Sequence, residues 1–274
     1  VSHVTTSTGR INSTRSAPAP VRLAPAAPSP GMFAPKADKA LYRAIMTCGS
    51  GQTFAQVAAS FPETRRTAAL YELMVVAGPA GDDARAIELL DEMVESGFDP
   101  QADAFFLKYT PRATMGLEIA DGVSVTLHTD KDALGLALAE LLQKAGQLDR
   151  AIRVVENLEP TSIAAVSLAE LYADQARWAD ILELTEGVTN EDDATTYLLV
   201  QRGHAFREQG LYTAARETLK EALRLRSRSA DLRLPALVER GLSYLAEGKP
   251  AMARKDFERV LAEKSDYPGI AQLV

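Results

Sequence analysis

The chain has 274 residues, is 46% hydrophobic and carries a formal charge of −7, which suffices for one extended helical solenoid or two modest domains. The acidic balance opposes generic attraction to nucleic acid or anionic membranes. Cys48 is the only cysteine, and His3, His128 and His204 are scattered, so an intramolecular disulfide is excluded and a structural zinc site is not expected. No apolar run reaches the roughly 20 residues that span a bilayer, and no secretory leader follows the first basic residues. These features predict a soluble cytoplasmic protein without a cofactor.

Residues 1–36 contain no Asp or Glu, carry Arg10, Arg15, Arg22 and Lys36, and are dense in Ser, Thr, Ala and Pro. This composition predicts a disordered tail. Transit peptides share its bias, but the Pro-Ala run from Ala17 to Pro30 opposes the amphipathic helix they need. Residues 37–110 predict an N-terminal helical region. A helix is expected over Asp38 to Thr47, with Leu41, Tyr42, Ile45 and Met46 on one face, ended by Gly49-Ser-Gly51. Others are expected over Thr53 to Ser60 and Glu63 to Ala77, the latter stopped by Gly78-Pro79-Ala80-Gly81. Asp82 or Asp83 caps a further helix that runs to Ser96 and closes at Gly97. A helix-turn-helix reading of Thr53 to Leu73, with Arg65 and Arg66 toward phosphate, is disfavoured because many trios of short helices share this pattern.

In residues 111–130, Met115, Leu117 and Ile119 alternate with Thr114, Gly116 and Glu118. After Asp121-Gly122, Val123, Val125 and Leu127 alternate with Ser124 and Thr126. Period-two alternation around Asp-Gly predicts a β-hairpin with one apolar face. It is expected to lie across helices and cover an end of the helical stack. The alternative is an exposed edge that pairs with a partner or a second copy.

Residues 131–274 repeat one helical hairpin. The clearest copies are Gly203, Phe206 and Gly210 with Ala215, Leu219 and Ala222, and Gly241, Tyr244 and Gly248 with Ala253, Phe257 and Val260. Looser copies are Ala139, Leu142, Gly146, Ala151, Val155 and Leu158, then Ala169, Tyr172, Ala176 and Ile181. The leading small residues lie 30, 34 and 38 positions apart. Small side chains let helices cross closely, so Gly203 and Gly241 are expected to face Ala215 and Ala253. Ile181 predicts a splayed or shifted second hairpin, and the long spacing predicts a loop around Ser227 to Pro235. Arg224, Arg226, Arg228 and Arg233 there read as a solvated ionic patch, helped by Glu217 and Glu221.

This pattern resembles the tetratricopeptide repeat family over the C-terminal half. The string from Ala86 to Pro100 resembles the second helix and tail of a single pentatricopeptide unit near residues 67–100, too few for RNA reading one base per repeat. The resemblance implies an all-α, tetratricopeptide-like helical-hairpin solenoid, here with a small β-hairpin insertion, acting as a non-catalytic protein-protein adaptor or scaffold. It also implies a protein or peptide ligand on the concave face, made by the first helices. The corresponding positions are Glu140, Gln143 and Lys144, then Glu170 and Asp174, then Gln201, His204, Arg207 and Glu208, then Val238, Glu239, Leu242 and Leu245. A groove acidic in the middle and apolar at one end suits a peptide with a basic residue and an apolar anchor. The Lys and Asn clamp of the chaperone-binding subset is missing, since Leu136, Glu140, Ser167, Tyr197 and Gln201 stand there.

No catalytic or metal motif is recognisable, and Cys48 reads as a free loop thiol. A helical repeat that binds RNA or DNA is the alternative function. Homo-oligomers through the hairpin edge are one expectation. The other route is the C-terminal end, where Tyr244, Phe257 and Leu261 are expected to remain partly exposed.

Overall fold

The computed structural model describes residues 28–47, 50–120 and 123–273. The tail through residue 27, Cys48, Gly49, the Asp121-Gly122 turn and Val274 lie outside the described residues. Among the described residues, six helical hairpins follow one another, with a β-hairpin inserted between the second and the third. The first is α1 (Lys36–Met46) with α2 (Gly51–Ser60). Ser50 caps α2 through the Thr53 amide, so this helix starts two residues before the expected Thr53. Leu41 and Ile45 enter the core as expected, whereas Met46 points to solvent.

The second hairpin pairs α3 (Arg65–Glu72) with α5 (Asp83–Glu95). Beyond Glu72 the helix widens into a π turn over Leu73–Ala77 and ends as α4 (Gly78–Ala80). The expected stop at Gly78 is therefore too early. Pro79 has no amide proton and its ring opposes a regular helix, and the π turn ends two positions before it, at Ala77. The chain finally reverses at Gly81, φ 66°. Glu72 is buried and accepts two bonds from Arg85, at 2.7 and 3.2 Å, which clamps α3 to α5. The short α6 (Ala104–Tyr109) brings Tyr109 against Tyr42 and Phe105, at centroid distances of 5.1 and 4.5 Å.

Strands β1 (Thr114–Ala120) and β2 (Val123–His128) form the antiparallel hairpin. The four hairpins after it are α7 (Lys131–Lys144) with α8 (Leu148–Glu156), α9 (Ser162–Asp174) with α10 (Trp178–Leu184), α11 (Asp193–Glu208) with α12 (Tyr212–Ala222), and α13 (Ala230–Ala246) with α14 (Pro250–Glu263). Side chains of Asp130, Thr161 and Asp192 cap α7, α9 and α11. The second helices lack such caps because tight turns deliver the chain into them. This is the expected solenoid with a hairpin insertion.

Three details of the repeats extend these expectations. A Cβ on Gly203 would stand 2.5 Å from Leu219, and one on Gly241 would stand 2.4 Å from the Phe257 ring. The small residues thus admit the large side chains of Leu219 and Phe257 from the second helix. In the second hairpin, α10 is the shortest of the second helices and Ile181 on it is wholly buried. The loop expected around Ser227 to Pro235 ends at Ser229, and α13 carries Pro235 inside it. Pro235 removes the bond to the carbonyl of Asp231, an exposed residue of the first turn that water can satisfy.

One continuous core runs from Leu41 through the hairpin to Leu232, joining the N-terminal helices to the repeats. A separate cluster closes the C-terminal end. Phe257 is fully enclosed there and Ile270 covers it, so the exposed Phe257 expected at this end is corrected. Tyr244 is half-buried beneath Arg216, whose guanidinium lies 5.0 Å from the ring centroid. Among the described residues, no helix is long and apolar enough to cross a membrane, and no group of metal-ligating side chains is assembled.

Candidate functional site

The first helices α7, α9, α11 and α13 stand side by side, and the β-hairpin is laid across the first three of them. Strand β1 packs on α7 and α9, and β2 reaches α11. The hairpin therefore occupies the inner wall of the repeats rather than an end of the stack. Cross-strand partners are Met115 with Leu127, Leu117 with Val125, and Ala120 with Val123. A bulge at Ile119 interrupts the alternation, so Ile119 and Ala120 are both buried with Leu117 and Val123. Thr129 closes the base through its amide and hydroxyl, both 3.1 Å from the carbonyl of Ala113. Gln101 donates to the Thr129 carbonyl at 2.9 Å, tying the hairpin to the segment after α5. Outward, the hairpin presents Gly116, Ser124, Thr126 and His128.

The polar residues expected to line an open groove mostly bond to one another between neighbouring first helices. Gln143 on α7 donates to Asp174 on α9 at 2.9 Å, and Gln143 is buried rather than exposed. Tyr197 on α11 donates to Glu170 on α9, and the Gln201 amide donates to the Tyr197 oxygen at 2.6 Å. Arg207 on α11 holds Glu239 on α13 at 2.6 Å and Glu208 at 2.7 Å. Arg207 offsets the charge of Glu239 and Glu208, whereas Asp174 and Glu170 accept hydrogen bonds from neutral donors and keep their charge. These pairs also fix the register of one helix against the next, because a charged side chain removed from water must keep its partner.

His204 Nε2 lies 3.6 Å from Glu208, and its ring lies 4.8 Å from that of Trp178 on α10. His204 and then Arg207 hold the Glu208 carboxyl down at about 2. Glu140 is half-buried and engaged, and Leu242 is half-buried within the C-terminal cluster. Lys144 reaches Asp83 on α5, outside the wall. Leu136 and Ser167, at two clamp positions, are buried. Of the sequence candidates on the wall, Asp174 and Glu208 remain exposed, with His204 beside Glu208. Trp178 and the outer residues of the hairpin were missed. The bulky aromatic at the start of a second helix was a signal for the former, and alternation identified the latter as outward-facing.

No curated protein matches the chain. Among solved structures, the N-terminal domain of the EccA1 ATPase from the ESX-1 secretion system of Mycobacterium tuberculosis is similar at TM-score 0.57 and 13% identity. That alignment covers 86% of this chain and 87% of the other. Identity this low establishes a shared fold. BtubC (BKLC) from P. vanneervenii aligns at TM-score 0.49 and 17% identity, over 83% of this chain and 93% of that one. The family described as T7SS, ESX-1 secretion system protein EccA1, N-terminal domain, matches residues 110–272, a span that contains the β-hairpin and all four repeats after it. The match extends over more than half of the chain, which therefore belongs to the EccA1 N-terminal domain family.

Proposed function

We propose that this chain is a non-catalytic protein-interaction scaffold of an ESX-1-type secretion system, working in the cytoplasm. The observation that carries the reading is the hairpin seated across α7, α9 and α11 with Ser124, Thr126 and His128 turned outward. A partner then meets a composite wall, made of the hairpin's polar face together with Asp174, His204 and Glu208. An open trough that grips a basic peptide through free carboxylates is a poorer description, since Glu170 and Glu239 are already engaged. Family membership supplies the secretion-system context. Rigidity supports the same reading, because a preorganised wall loses little conformational entropy when it binds.

Co-purification with secretion-system proteins of the same cell tests it, using wild type beside Ser124→Arg with Thr126→Arg. Both positions are exposed, so the variant is expected to fold normally by circular dichroism. A secretion-system protein retained by wild type and lost by the variant is the predicted result. Equal retention would place the contact elsewhere.

A further inference from the structure

On the side of α13 away from Glu239 and Leu242, a cleft of about 960 Å³ opens between α12, α13 and α14. Arg233, Leu237 and Arg240 reach it at i, i+4 and i+7, the spacing of one helical face. Its wall carries six cations, Lys220, Arg224, Arg226, Arg233, Arg240 and Arg259, against two carboxylates, Glu221 and Glu263. Leu223, Leu237 and Ala262 supply an apolar floor. For a chain with a net charge of −7 this is a local inversion of sign.

Internal pairing accounts for only part of the positive charge. Arg224 holds Glu221 at 2.8 Å, Arg233 holds Glu263 at 2.5 Å, and Arg240 holds the buried Asp256 through two bonds of 2.8 and 2.6 Å. Asp256 is thereby committed, and Arg259, 66% exposed, approaches it only to 3.6 Å. Lys220 lies 3.4 Å from Glu217, in a solvated pair of little strength. Among the described residues, Arg226 has no ion pair or side-chain hydrogen bond. Three cations at the rim are thus available over an apolar floor.

We propose that this cleft docks an acidic protein segment, an Asp/Glu-rich stretch bearing an aliphatic anchor. Guanidinium groups recognise carboxylates by paired hydrogen bonds, and the floor buries an aliphatic side chain between them. Nucleic acid fits less well. A phosphate backbone makes no use of the floor, and the acidic remainder of the molecule repels it at distances where a short peptide feels only the cleft. This surface is independent of the hairpin wall, so either can fail without the other.

The test is fluorescence anisotropy at physiological salt with a labelled synthetic Glu/Leu peptide, its Gln/Leu counterpart and an oligouridylate, against the full chain. Wild type is expected to bind the Glu/Leu peptide at least about tenfold more tightly than the counterpart. Lys220→Glu with Arg226→Glu and Arg259→Glu is expected to weaken that binding by about tenfold or more, while Lys255→Glu, outside the cleft, leaves it unchanged. All three cleft positions are exposed, and an unaltered thermal midpoint will show that the fold survives. Equal binding of the Gln/Leu peptide, or insensitivity to charge reversal, would overturn the proposal. Tighter binding of the oligouridylate than of the Glu/Leu peptide would also overturn it, by naming the wrong occupant.

Discussion

At the turn between α9 and α10, Ala176 holds φ 54°, where the other three repeats place Gly146, Gly210 and Gly248 at 74°, 76° and 73°. A β-carbon makes that left-handed conformation costly, by about 1 kcal/mol. Ala176→Gly is therefore expected to raise the unfolding free energy by up to about 1 kcal/mol, less the backbone entropy that glycine forfeits on folding. Urea denaturation measures it, and a lower midpoint would show that the turn is unstrained. Glu208 gives a prediction in pH. Its folded carboxyl titrates near 2, below the ordinary 4.5, so its contribution is complete above about pH 4.5 and is lost as pH falls through 2. Glu208→Gln is expected to flatten the pH dependence of stability in that window; an unaltered acid limb would contradict the assignment. The repeat frame made the turn at Ala176 legible. Pairing of Arg207 with Glu239 was not, since it depends on how two helices 32 residues apart come into register.

Helix pairs are held together by missing side chains as much as by present ones. A Cβ at position 241 would stand 2.4 Å from the Phe257 ring, which is fully enclosed and has little room to yield. Gly241→Ala is thus expected to cost about 2 kcal/mol through overpacking. Thermal denaturation beside Gly241→Ala with Phe257→Leu would show partial recovery if the ring is the obstacle; a Gly241→Ala protein as stable as wild type or more so, the result helix propensity alone would give, would contradict it. The spacing of small residues announced that helices cross closely here, but not that the Phe257 ring fills the space, because spacing specifies a face, not the rotamer that fills it. The β-hairpin was similarly half legible. Alternation and Asp-Gly identified the strands and the apolar face, whereas the surface that receives it depends on α7, α9 and α11 coming side by side, and the bulge at Ile119 leaves no trace in a period-two pattern.

For the molecule as a whole, the N-terminal helices and the repeats share one core, reinforced by Arg150 on α8 and Asp91 on α5, which meet through two bonds of 2.8 Å. Composition suggested two successive helical regions because the β-hairpin interrupts the pattern between them. In three dimensions that insertion folds back over the repeats and α5 packs directly on α7. Solenoids bind through the face that successive repeats share, and here the shared face is carpeted by the hairpin. The most direct test of this account is site-specific photo-crosslinking in cells, with a benzophenone side chain replacing Thr126 on the hairpin or Gln56 on α2, both exposed and the latter outside both the hairpin wall and the cationic cleft. The account predicts an adduct with a secretion-system protein from position 126 and none from 56; an adduct from 56 alone would move the interaction surface off the hairpin wall.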